Sequence, residues 1–193
     1  MVVTSDRGFA TISRREVDLN GRVTSSETAK HFYLDAGGKL ETDNGMLPSG
    51  FLLIDLAIGL KTNLFDPDRR ADGVRKPYKH VRLGLDAWEL PAFGNGLLGD
   101  DVEKADGSDA LAIVAANGGS DLIYVPGGGS DTVRRIVALL LSYDYVGGSF
   151  VDEERYGKLP GALSLGEIGL RGSSGLPRPA IAVAFKVFYP NSA

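Results

Sequence analysis

The second half of the chain carries the pattern that most constrains its fold. Apolar runs at residues 110–116 and 122–125 flank the turn sequence NGGS at 117–120. Two apolar runs of strand length around a short glycine-containing turn predict a β-hairpin with a four-residue loop. A glycine-rich connection at 127–129 follows, and Ser130 is then a suitable N-cap for a helix. One face of this predicted helix carries Val133, Ile136, Val137, Leu140 and Leu141, and the other carries Arg134 and Arg135.

The rest of the sequence predicts a mixed α/β order around this hairpin and helix. A helix is expected over 49–61, because Ser49 is a good N-cap after Pro48 and the following apolar residues recur at helical spacing. Short strands are expected at 2–5, 31–34, 81–85, 150–151 and 180–187, and a short helix at 163–168. This order favours an α/β fold with a mixed sheet and flanking helices.

The chain has the length and apolar content of one domain. Its 193 residues are 43% hydrophobic, which is enough to bury a sizeable core, so we expect a single α/β domain over 1–193. Segment 62–108 contains many turn signals, among them Asp66-Pro67, Lys76-Pro77 and the sequence GNG at 94–96. These signals predict an irregular insertion or a cap-like segment.

Composition excludes several classes of protein. The formal charge of −4 gives no electrostatic footprint for nucleic acid. The absence of Cys excludes disulfides, thiolate zinc sites and cysteine nucleophiles. No apolar stretch approaches the ~20 residues that span a bilayer, and no signal peptide is recognisable at the N-terminus. We therefore expect a soluble chain without nucleic-acid or membrane partners, and its location stays open.

The first residues carry the strongest chemical signal. Residues 2–9 read VVTSDRGF, a short buried strand that ends by presenting Asp6 at the sheet edge where open α/β folds place ligands. A carboxylate there suits a divalent cation, although Asp6 is also a typical turn-capping residue. Arg7 has no lone pair for a metal. It is either a bidentate clamp for a substrate phosphate or an exposed, salt-bridged side chain.

This segment resembles the TSDHGF motif of the alkaline phosphatase superfamily, in its type I phosphodiesterase/nucleotide pyrophosphatase branch. In that motif the Asp and the His both bind metal, and Arg7 stands at the His position. The resemblance continues in order through later segments and covers nearly the whole chain. These segments are LPSGF at 47–51, IDLA at 54–57, NGGSDLIY at 117–124, and residues 132–145, 150–156 and 177–188.

The resemblance implies a partial alkaline-phosphatase-like sandwich that corresponds to the C-terminal portion of the family fold. Asp6 would bind zinc or another divalent metal, and Arg7 would lie beside a phosphate-ester substrate. Family members also need a Thr or Ser nucleophile with Asp ligands from an earlier strand–helix turn, and a closing His after the last strand. We therefore expect a fragment or divergent remnant of such a hydrolase, with no catalytic residue assigned and little metal binding of its own.

Two alternatives stay open. The first is a non-catalytic binding or assembly module, whose exposed sheet edges pair with another subunit to form a homo-oligomer. The second is a metal-dependent ester or lactone hydrolase built from the surviving carboxylates.

Other candidate residues predict structure rather than chemistry. His31 and His80 have no partner at metal-ligand spacing, so we expect both to be partly exposed. The loop at 127–130 could hold an anion with its N–H groups, but it lacks the ending of a P-loop and is typical of a connector. Two charged clusters predict solvated loops. They are the acidic Asp100, Asp101, Glu103, Asp106 and Asp109, and the basic Arg69, Arg70, Arg75 and Lys76.

Overall fold

The computed structural model describes residues 50–71, 74–78, 80–82, 86–143, 145–170, 175 and 177–186, together with four short strands nearer the N-terminus. The strands are β1 (Arg15–Val17), β2 (Val23–Ser25), β3 (Phe32–Leu34), β4 (Leu40–Glu41), β5 (Asn63–Ala71), β6 (Val74–Pro77), β7 (His80–Arg82), β8 (Asp86–Glu89), β9 (Gly96–Gly99), β10 (Ala112–Ala116), β11 (Ser120–Tyr124), β12 (Val146–Val151), β13 (Leu163–Ser164) and β14 (Ile181–Phe185). The helices are α1 (Phe51–Leu60), α2 (Ser130–Ser142) and α3 (Glu153–Tyr156), with 3₁₀ turns at Ala92–Gly94 and Leu165–Ile168.

Within the described residues, the main sheet has eight strands in the order β13-β12-β14-β11-β10-β9-β5-β6. Neighbouring strands are antiparallel, except that β12 and β13 are parallel. Helix α1 contacts β5, β9 and α2, and α2 contacts β12. A mixed sheet with a few flanking helices confirms the predicted α/β class.

Among the described strands, two smaller sheets accompany the main one. Strands β4, β3, β8 and β7 form one in that order, in which β3 and β8 are parallel, and β1 and β2 form an antiparallel pair. Strands β3 and β7 coincide with parts of the strands predicted at 31–34 and 81–85. The strand predicted at 2–5 lies outside the described residues.

The two faces of the main sheet are covered differently. Because successive side chains of a strand point to opposite faces, the fully buried Ile123 points toward the helices while the half-buried Tyr124 points away from them. The larger core lies on the helix side and includes α1, α2 and alternate residues of β10, β11 and β14. A smaller core lies on the other side, formed by Phe65, Leu97, Val102 and Ala110 with Ile113 against it.

Helix α1 is buried on almost every side, as is typical of a helix with apolar residues all round. The predicted helix at 49–61 is confirmed, but its N-cap is Gly50, not Ser49. Gly50 has φ of +87°, and a Cβ there would lie 2.9 Å from the Pro91 ring, so the position requires glycine. No helix in the described parts of the chain is long and apolar enough to cross a membrane.

Helix α2 has the amphipathic face that its sequence predicts. Its buried residues are Val133, Ile136, Val137 and Leu140, as expected. The placement of Leu141 on that face is wrong, because Leu141 is 53% exposed. The buried residues recur at i, i+3, i+4 and i+7 from Val133, and Leu141 lies beside this stripe at its exposed margin. The N-cap is Gly129, one residue before the predicted Ser130.

The predicted hairpin is present as β10 and β11, with a tighter turn than expected. Asn117 N–H donates to the Ser120 carbonyl at 2.8 Å, which leaves Gly118 and Gly119 as the two turn residues. Gly118 has φ of +71°, the positive value that two-residue hairpin turns require.

Segment 62–108 contains several strands that its turn signals did not predict. Strands β5, β6 and β9 belong to the main sheet, and β7 and β8 belong to a smaller one, so these parts of the segment are regular strands, not the irregular structure that was expected. The Asp66-Pro67 signal lies inside β5, where the pairing with β6 shifts register between Phe65 and Arg70. A bulge of this kind tolerates a proline within a strand.

The last third of the chain follows its prediction with two adjustments. The strands expected at 150–151 and 180–187 are observed as the longer β12 and the shorter β14. The helix expected at 163–168 is instead the short strand β13 followed by a 3₁₀ turn, capped by the Ser164 side chain, which accepts from Gly166 N–H at 3.2 Å.

Candidate functional site

The residues with the strongest predicted chemistry lie outside the described residues. These are Asp6 and Arg7. His31 also lies outside the described residues, and of His80 only the backbone is described, as the first residue of β7. A candidate site among the described residues must therefore be built from other side chains.

The acidic run after β9 is a loop held by its own carboxylates. Asp109 accepts from the backbone N–H groups of Glu103 and Lys104 at 2.8 and 2.9 Å, and Asp106 accepts from Ser108 N–H at 3.0 Å. These hydrogen bonds, from Lys104 to Asp109 and from Ser108 to Asp106, lower the pKa of both carboxyls. The carboxylates of Asp106 and Asp109 thus stabilise the conformation of the loop.

The sequence context of Arg75 predicts a solvated loop, and this prediction is wrong. The Arg75 side chain is buried and donates to the carbonyls of Asp66, Pro67, Lys104 and Ala105. The guanidinium has five donors in a planar fork, which suits several carbonyls at once. Arg75 therefore fastens the β5 bulge to the acidic loop.

A charged cluster lies at the carboxyl ends of β12 and β13. Asp152 directly follows β12, and Ser164 ends β13, which pairs with β12 in parallel. The carboxyl ends of parallel strands open onto the same sheet edge, where α/β folds commonly place ligands. A cavity of about 340 Å³ lies here, with walls that include Asp152, Glu154, Ser164 and Arg178.

Arg178 joins the carboxylates of this cluster. Its Nε lies 2.8 Å from Asp152 Oδ2 and its Nη1 lies 2.9 Å from Glu154 Oε2. Asp152 is only 2% exposed, and a carboxylate buried to this degree needs a partner such as Arg178. The hydrogen bond to Glu154 and the charges of both carboxylates raise the pKa of Arg178 further above its already high value.

A larger groove lies beside the cavity and shares Arg178 with it. Its volume is about 680 Å³, and its described walls combine apolar, arginine and acidic side chains. They are Asp106, Ser108, Ile113, Tyr124, Val125, Pro126, Arg155, Pro177 and Arg178. The groove lies on the sheet face opposite α1 and α2, because Tyr124 pairs across the strands with Ile113 of the smaller core.

A buried polar group lies between α1 and the start of β12. Tyr145 Oη donates to Asp55 Oδ2 at 2.5 Å, and Tyr143 Oη donates to the Asp55 backbone carbonyl at 2.9 Å. The two tyrosine rings are stacked, with centroids 5.4 Å apart. Burial, and then the Asp55 charge, raise the pKa of Tyr143, so its hydroxyl stays protonated. This group fixes α1 to the sheet and opens onto neither cavity.

Sequence reasoning did not identify Asp152, Arg155, Arg178 or Asp55. Asp55 carries a signal, because it is a single carboxylate in an otherwise apolar helix. Asp152 and Arg178 carry none, since nothing in the sequence relates a residue after β12 to one before β14.

Comparison of the chain with models of known protein families, with curated proteins and with solved structures found no match.

Proposed function

We propose that this chain derives from metal-dependent hydrolases of the phosphodiesterase/nucleotide pyrophosphatase kind, and that its 193 residues alone do not catalyse two-metal phosphoryl transfer. The observation that carries this proposal is Arg7 in the sequence VVTSDRGF. A guanidinium offers no lone pair and adds positive charge beside Asp6. Asp6 would therefore hold a metal without its neighbouring ligand, and a two-metal site needs several ligands held together.

The described carboxylates give further support. Asp152 and Glu154 lie at the carboxyl ends of β12 and β13, and both are paired with Arg178. A divalent cation would have to displace the guanidinium from a buried ion pair. These carboxylates are therefore poor replacements for the ligand that Arg7 removes.

Restoring the family residue should restore metal affinity. We expect the Arg7→His variant to bind Zn²⁺ roughly tenfold more tightly than the parent chain, because a neutral imidazole adds a ligand and removes a charge. Arg7→Lys is the matched control and should bind no better than the parent. Competition with a chromophoric chelator measures all three affinities, and Asp6→Asn in the Arg7→His background should remove the gain.

Activity of the parent chain would overturn the proposal. The purified protein should hydrolyse p-nitrophenyl phosphate esters no faster than Zn²⁺ alone. Zinc-dependent turnover that is lost in the Asp6→Ala variant would show that the 193 residues hold a working site after all.

We infer a second candidate function, self-assembly, from apolar side chains near one edge of the main sheet. Leu141, Leu163, Ile168 and Leu170 are 40–53% exposed on or near the outer strand β13. The opposite outer strand, β6, carries Lys76 and Pro77, which disfavour pairing with another chain. The β13 edge is thus the better surface for a second copy of the chain.

A charge at this edge should abolish assembly. We expect the parent protein to form a dimer whose population rises with concentration, and Leu163→Glu to be monomeric. Val74→Glu is the matched control, because Val74 is 61% exposed on the opposite outer strand β6. Light scattering over a concentration series distinguishes these outcomes, and a parent protein that stays monomeric throughout would exclude self-assembly.

A further inference from the structure

We propose that the groove beside Tyr124 and Arg155 binds a small amphipathic anion, a ligand with one flat apolar group and one phosphate or carboxylate head. The proposal does not rest on the proposed function, because it concerns binding without metal or turnover. The groove volume, about 680 Å³, falls within the range of small-molecule pockets.

The floor of the groove suits a flat apolar group. Ile113 and Tyr124 are directly opposite each other on β10 and β11 and line this floor. Pro126 and Pro177 border this floor with rigid rings and add no side-chain donor. A half-buried tyrosine ring between such neighbours offers a stacking surface to an aromatic ligand.

Arg155 supplies the charge that an anionic head requires. Its side chain is exposed, and among the described residues it forms no ion pair. The guanidinium carbon lies 5.1 Å from the centre of the Tyr156 ring, a contact that holds the side chain over the ring. Arg178 contributes little net charge, because Asp152 and Glu154 already pair with it. An anion in the groove would therefore pair with Arg155.

Asp106 orients the ligand. It lines the groove on the loop after β9, and the hydrogen bond from Ser108 N–H lowers its pKa and keeps it ionised. A second anionic group on the ligand would be repelled there. The charge pattern thus selects a ligand with one anionic head directed to Arg155 and a neutral body.

Phenyl phosphate is a suitable probe, followed by amide chemical shifts in two-dimensional NMR of the intact chain. We expect saturable shifts centred on Tyr124 to Gly128 and on Arg155. Arg155→Gln should weaken binding about tenfold, because a charge-assisted contact is lost, and Tyr124→Ser should weaken it by a similar factor. Arg134→Gln is the matched control, since Arg134 is also an exposed arginine but pairs with Asp131 on α2.

Two further ligands separate the contributions of the head and the body. Inorganic phosphate has only the head and benzyl alcohol only the apolar body, so each should bind at least about tenfold more weakly than phenyl phosphate. The amide spectrum of Arg155→Gln shows directly whether that variant is folded. Absence of saturable shifts, shifts centred elsewhere, or a folded Arg155→Gln variant that binds like the parent would each overturn the proposal.

Discussion

Replacing Arg178 with alanine is expected to lower the melting temperature by roughly 6–12 °C. Asp152 is 2% exposed, and its Oδ2 lies 2.8 Å from Arg178 Nε. Without Arg178, this carboxylate has no counter-charge among the described residues, and a buried charge left unpaired is strongly destabilising. Thermal unfolding at neutral pH, followed by circular dichroism, measures the effect.

Two control variants test the cause of this loss. Asp152→Asn in the Arg178→Ala background should recover much of the melting temperature, because a neutral amide needs no counter-charge. Glu154→Gln should change it by no more than about 2 °C, since the Glu154 side chain is 67% exposed and surface pairs contribute little. A variant Arg178→Ala that melts with the parent would mean that the ion pair does not stabilise the fold.

Replacing Asp121 with asparagine is expected to remove a pH dependence of stability worth roughly 4 kcal/mol. Asp121 is 5% exposed on β11, between Ala116 and Val183 of the neighbouring strands. Burial raises its pKa to about 7, an effect partly offset by a backbone hydrogen bond at Asn117. The folded state therefore holds a proton that the unfolded state has already released above pH 4.

The sign of the effect follows from that proton. Since the folded state binds more protons than the unfolded state between about pH 4 and pH 7, the free energy of unfolding falls as the pH rises through this window and then levels off. Asp121→Asn cannot ionise, so the variant should match the parent near pH 4 and exceed it at pH 8.

Urea unfolding at a series of pH values tests this prediction. Asp101→Asn is the matched control, because Asp101 is exposed, and it should keep the slope of the parent. If Asp121→Asn keeps the pH dependence of the parent, then titratable groups other than Asp121 cause that dependence, and the prediction is wrong.

Local sequence patterns predicted the elements that depend on interactions between residues close together in the chain. The 110–125 hairpin and α2 follow directly from apolar runs, turn glycines and helical spacing, and both are present. Strand β5 was missed because Asp66-Pro67 is a turn signal in isolation. The bulge that accommodates it depends on the pairing with β6 and on Arg75, whose guanidinium also donates to the carbonyls of Lys104 and Ala105, 29 and 30 residues away.

The candidate site was predicted less well than the fold, for a related physical reason. Asp152 and Arg178 meet because β12 and β14 are neighbours in the sheet. Their opposite charges do not by themselves indicate, in the sequence, that the two residues are paired. Asp55 is the exception, since a single carboxylate in the apolar run of α1 must find a buried partner, which is Tyr145. The roles predicted for Asp6 and Arg7 stay predictions.

The position of β14 determines the order in which the strands of the main sheet can pair during synthesis of the chain. It is the last strand along the described chain, yet it lies inside the sheet between β11 and β12. Strands β12 and β13 cannot join the rest of the sheet until residues 181–185 leave the ribosome, because β14 is their link to it. Arg178 immediately precedes this strand, so the ion pair with Asp152 closes in the same step. The sheet and the charged cavity are therefore completed in one step, after the other described strands have been synthesised.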